Sequence, residues 1–249
     1  MDHETPTRPE SDQGHSSQGL LLYTDGILRH REEHFARLFD DKDVPKQIML
    51  LVSIIALLSA LYGLMMGALN GFPQMASSAA KVPILYLLTL TVCYPVLYVV
   101  NVILGSRLGF LQTLALILTA LALNAILMAS CAPIILFFTL TGANYDFLKL
   151  LHVAVLAFSG AWGMVGLWRG LVAMCERSSL YPKQAVRILR IWILIFAFVG
   201  TQMAWSLRPF VGAPSLPFQV FRPYQETGRG NFYQAVWSSV ANLSRTKGR

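Results

Sequence analysis

Between Val44 and Gln225 the chain carries only two carboxylates, Asp146 and Glu176. Soluble domains hold roughly 25% charged residues; here the share is 13%. Charge is costly in hydrocarbon, so membrane-spanning segments shed it. The shortage excludes a water-soluble domain over that stretch, and with it paired-carboxylate catalysis and a proton relay built from intramembrane acids. Cysteine is scarce as well. Cys93, Cys131 and Cys175 each fall in or beside an apolar run, and their spacing matches neither a zinc motif nor a disulfide framework set in loops. No phosphate loop or dinucleotide fingerprint occurs, and no nucleophile, base and orienting acid can be assembled from the apolar segments. No enzyme, cofactor or metal is expected. The absence of an internal repeat weighs against an inverted-repeat transporter. The net charge of +7 comes without basic residues interleaved with aromatics on one surface, so no nucleic-acid partner is expected.

What the chain has instead is long apolar runs. A bilayer core of ~30 Å needs about 20 helical residues. Five segments meet or approach that length: 47–69, 81–104, 112–141, 147–175 and 188–207. A transmembrane barrel would show short alternating strands. The expected fold is therefore an all-α polytopic transmembrane helical bundle of five spans, within 47–207. Residues 1–25 read as a disordered polar tail. Residues 26–46 read as a cytoplasmic amphipathic segment, with Ile27, Leu28, Phe35, Leu38 and Phe39 on one helical face. Residues 208–249 form an aromatic and proline-rich tail ending in a short amphipathic helix, with Phe232, Val236, Val240 and Leu243 at helical spacing. Both flanking helices are expected to rest on the membrane interface. The N-terminal stretch lacks an apolar signal region, so the first span is expected to act as an uncleaved insertion signal.

Basic residues set the orientation. Arg8, Arg29, Arg31, Arg37, Lys42 and Lys46 precede the first span, Arg107 follows the second, and Arg177, Lys183 and Arg187 follow the fourth. The opposite connections offer only Lys81 and Lys149. The N-terminus is expected in the cytoplasm.

The second segment is the richest in polar groups. Pro95 has no N–H, so the carbonyl of Thr91 loses its helical partner. Thr91, Tyr94, Tyr98 and Asn101 fall within roughly a third of the helix circumference at ~3.6 residues per turn. That stripe, faced by Asn124 of the third segment, is either a polar path or partner face, or a set of interhelical hydrogen bonds of the kind that holds bundles together in lipid. Pro133 should bend the third segment in the same way. Ser59, Gly63 and Gly67 in the first segment, and Gly166 and Gly170 in the fourth, repeat at four-residue spacing and should let helices approach closely. His152 has no carboxylate at helical spacing and reads as a packed residue.

The second segment, with the Trp205-x-Leu-Arg208-Pro209-Phe210 stretch, resembles a family of uncharacterised bacterial five-span integral membrane proteins, over about Gly26 to Tyr233. The layout is distantly similar to the Yip family of five-helix membrane proteins. That resemblance implies a cytosolic N-terminal segment, short loops, no enzymatic chemistry and a link to membrane trafficking; the long aromatic tail departs from it. The expected function is a non-enzymatic scaffold or accessory subunit of a membrane complex in a bacterial cytoplasmic membrane, with lipid and a membrane protein partner or a second copy as its contacts. The alternative is a channel or transporter for a small solute.

Overall fold

The computed structural model describes residues 24–26, 44–103, 109–177, 183–210 and 232–246. Every regular element among them is helical: α1 Val44–Gly67, α2 Phe72–Ile103, α3 Phe110–Ser130, α4 Ala132–Leu140, α5 Tyr145–Arg177, α6 Lys183–Leu207 and α7 Phe232–Thr246, with a 3-10 turn Ala68–Asn70 after α1. Four stretches are long and apolar enough to cross a membrane: α1, α2, α3 with α4 (Phe110–Leu140), and Tyr145–Arg169 of α5. The chain is a multi-pass membrane helical bundle on that ground. The apolar part of α6, Ile191–Leu207, is shorter. The expected tail 1–25 and amphipathic segment 26–46 lie almost wholly outside the described residues, as does 211–231 of the tail.

The second helix starts earlier than its apolar composition suggests. It begins at Phe72, not Lys81, and runs 32 residues. Gly71 turns the chain with φ 81°, its carbonyl accepts the Met75 N–H at 3.1 Å, and Pro73 in the first turn needs no intrahelical donor bond. Hydropathy marks where lipid begins, and a helix can start well before that point.

The third segment is bent, as Pro133 requires. The regular helix stops at Ser130, and α4 restarts with Ile134 N–H donating to the Cys131 carbonyl at 3.1 Å. The end of α4 is a paired terminator. Ala143 N–H donates to Phe138 O at 3.1 Å and Gly142 N–H to Thr139 O at 3.4 Å, with Gly142 at φ 74°, the left-handed conformation glycine adopts without penalty. Asn144 then caps α5, its Oδ1 accepting the Asp146 N–H at 2.9 Å.

α3 lies between α1 and α5. It is the most enclosed of the membrane-capable stretches, 61% buried against 33–39% for the other three. α1 lies along both α2 and α3, α5 packs on α3, and α6 lies on α2. α7 rests on α5 and, less extensively, on α6. The α1–α2 turn, the α4–α5 turn, the end of α6 and α7 all gather at one end of the bundle, here termed the tail end. Facing outward are Ile84, Leu88, Val92, Val96 and Val99 of α2, Phe158 and Trp162 of α5, and Ile191, Leu194, Ile195 and Phe198 of α6. Apolar faces this continuous suit a lipid surround and not water.

Candidate functional site

The polar stripe of α2 is divided between two environments. Thr91 is exposed on the outward face and its Oγ1 donates back to Leu87 O at 2.8 Å. Pro95 is also outward. Tyr94 is buried and its hydroxyl donates to the Phe110 carbonyl at 2.5 Å, at the first turn of α3. Tyr94, Tyr98 and Phe110 form an aromatic trio with centroids 4.9–6.3 Å apart. Asn101 is buried one turn further along. Asn124 does not join them. It stands fourteen residues beyond Phe110 on α3, roughly 21 Å at ~1.5 Å per residue, and packs instead beside Gly160 and Gly163 of α5. The stripe thus ties α2 to the start of α3, and one further bond lies beside it: Trp192 of α6 donates Nε1–H to the Cys93 carbonyl at 3.0 Å, two residues before Pro95.

A second polar group lies deeper, and of its members His152 and Asn124 were singled out above. His152 of α5 is 2% exposed and its Nδ1 sits 2.9 Å from the Tyr62 hydroxyl of α1, itself 0% exposed. The rings meet edge to face, at 5.7 Å and 87°. Tyr86 of α2 neighbours Tyr62, stands next to Asn124 and donates to Met128 Sδ at 3.6 Å. Four helices therefore meet through two tyrosines, a histidine, an amide and a thioether in an otherwise apolar core. The partner of His152 lies 90 positions away on another helix, so no spacing rule could have found it.

The third group is at the tail end. Gln74, Ser78 and Lys81 lie on one face of α2, at i, i+4 and i+7, and are 1%, 0% and 4% exposed. They converge on the stretch that follows α6. Gln74 Nε2 donates to Phe210 O at 2.9 Å and to Pro209 O at 3.2 Å, Lys81 Nζ donates to Pro209 O at 3.1 Å, and Ser78 Oγ donates to Phe210 O. The Lys81 ammonium also lies 5.9 Å from the Phe210 ring centroid, and the Arg208 guanidinium covers the Trp205 ring at 3.3 Å. Trp205, Arg208, Pro209 and Phe210 form a strap clasped by α2. Gln74 and Ser78 escaped the sequence analysis because 70–80 read as a linker; the helical spacing of three polar residues was the available signal.

The small residues explain the close α1–α2 approach. Ser59, Gly63 and Gly67 are all buried, and the two glycines lie against the first turns of α2. A Cβ on Gly63 would sit 2.5 Å from Ser78 O, and one on Gly67 would sit 2.6 Å from Gln74 O. On α5 the close contact to α3 is made by Gly163, where a Cβ would meet Ala120 O at 2.9 Å. Gly166 is buried, and the surroundings of Gly170 lie outside the described residues. Among the described residues no three His, Cys, Asp or Glu side chains cluster as a metal site would require. No protein-family model matches the chain, and neither a curated protein nor a solved structure matches it.

Proposed function

We propose that the chain is a non-enzymatic integral membrane scaffold, or an accessory subunit of a membrane complex, in a bacterial cytoplasmic membrane. The observation that carries this reading is how the interior polar groups are used. Tyr62 with His152, Tyr94 with Phe110 O, Trp192 with Cys93 O, and the α2 clasp with the strap each join one helix to another. They are distributed along the bundle as fasteners. In this reading α6 makes a fifth crossing. Ile191–Leu207 spans roughly 25 Å at ~1.5 Å per residue, near the lower limit for a ~30 Å core, and Trp205 with Arg208 at its end supplies an interfacial anchor. The N-terminus is then cytoplasmic and the strap is on the outer side. The outward apolar face of α6, fastened to the bundle mainly through α2, is the surface a membrane partner would use.

The test is purification of the tagged protein from its own membranes at native expression level in mild detergent, followed by reconstitution. A stoichiometric membrane partner lost on Leu194→Ala with Phe198→Ala supports the scaffold reading. Solute flux in proteoliposomes that disappears in Asn101→Leu overturns it in favour of a channel.

A further inference from the structure

We propose that α7 has three working faces and that its aromatic one lies in the lipid headgroup region of the leaflet at the tail end of the bundle. At 100° per residue, Phe232, Ala235, Val236 and Ser239 share the face turned to the bundle, and Ser239 is 1% exposed. The adjoining arc holds Tyr233, Trp237 and Val240, which are 50%, 75% and 44% exposed. The remaining arc holds Gln234, Ser238 and Asn242. A helix on a water-bathed surface would turn polar side chains to both free arcs. This one turns Tyr, Trp and Val to the first, where the one further side chain, Ser244, donates back to Ala241 O at 2.8 Å, and amides and a hydroxyl to the second.

The height of α7 is set by a carboxylate. Asp146, in the first turn of α5, accepts from Ser239 Oγ at 3.1 Å and from Asn242 Nδ2 at 3.2 Å, and pairs with Lys149 at 2.7 Å. Asp146 and Lys149 put charge in the first turns of a stretch, Tyr145–Arg169, that is otherwise long and apolar enough to cross a membrane. Charge is costly in hydrocarbon, so the latch holds α7 at the wet end of that stretch. Tyr233 reaches the neighbouring helix, its hydroxyl 3.4 Å from Thr201 Oγ1. Phe72, where α2 begins, and Leu140, where α4 ends, are likewise 79% and 78% exposed at the same end of the bundle. Trp and Tyr favour this depth, with the ring in the apolar boundary and the polar tip wet, and a helix lying there buries its apolar face about 5–10 Å into the headgroup boundary. The occupant of the free aromatic arc is lipid.

This inference stands apart from the scaffold reading, since it concerns one helix and its solvent. The test uses the full chain in phosphatidylcholine–phosphatidylglycerol nanodiscs, with the native cysteines changed to Ala and a nitroxide placed at Trp237→Cys, Val240→Cys or Ser238→Cys. Power saturation compares collision with oxygen, which concentrates in lipid, and with a water-soluble nickel chelate. Positions 237 and 240 should show an oxygen-to-nickel ratio several-fold above position 238. Asp146→Ala should abolish that difference by releasing the helix. Equal ratios at all three positions in the Asp146 protein overturn the proposal in favour of a water-exposed helix. Protection of 237 and 240 from both reagents overturns it in favour of a protein surface or a second copy.

Discussion

Replacing Gly63 by alanine should pry α1 from α2. The added Cβ would lie 2.5 Å from Ser78 O, 2.8 Å from Ser78 C and 2.9 Å from Ala79 Cα. All three are backbone atoms of a helix, so no side chain can swing aside. Non-bonded heavy atoms pack at about 3.5–4.0 Å, so the helices must separate by on the order of 1 Å, and a gap of that size forfeits a quarter to a half of each dispersion contact along the seam. Overpacking typically costs about 1–3 kcal/mol, and the intrinsic gain of Ala over Gly within a helix, about 0.8–1 kcal/mol, offsets only part of it. Gly160 is the control. Its Cβ would meet only Asn124 Nδ2, at 3.7 Å, an ordinary contact, so Gly160→Ala should be neutral or stabilising. The assay is reversible unfolding in mixed micelles titrated with a denaturing detergent. Gly63→Ala should lower the midpoint, with the folded-to-unfolded ratio falling tenfold for every ~1.4 kcal/mol. Matching midpoints for Gly63→Ala and Gly160→Ala would refute the close-approach argument, because the steric distances would then have no energetic meaning.

Two further outcomes follow from the buried polar groups. His152→Phe leaves the Tyr62 hydroxyl unpaired in a dry core and should cost about 1–3 kcal/mol; adding Tyr62→Phe should recover much of that loss in the same unfolding titration, whereas strictly additive losses would rule out the coupling. Lys81→Met removes a charged donor from Pro209 O and should weaken the strap by about 1–3 kcal/mol, seen as faster amide hydrogen exchange from Trp205 to Phe210 with exchange in α3 unchanged.

Those outcomes depend on contacts of very different legibility. The small-residue seam Ser59, Gly63 and Gly67 could be read directly, since four-residue spacing on an apolar helix has one geometric consequence. So could the break at Pro133, because a missing N–H acts locally. The stripe of α2 was legible as a set of polar positions, but an angular spread cannot say which edge faces lipid, and Thr91 proved to lie on the outward side. The α2 clasp was hidden because hydropathy reports the depth at which lipid begins and is silent on where the helix starts.

The sequence by itself determined that this chain is a bundle of apolar helices with four or more stretches suited to a membrane, that the third is interrupted at Pro133, and which helix carries small residues for close packing. These follow from backbone hydrogen bonding and the cost of charge in hydrocarbon, both set residue by residue. Only the tertiary structure decided the partners: Tyr62 for His152, Cys93 O for Trp192, Gln74 and Lys81 for the strap, and Ser239 and Asn242 for Asp146. Each joins positions 90 or more residues apart. A buried polar atom must find a partner somewhere, but which one it finds depends on how whole helices stack, and no local spacing in the chain encodes that.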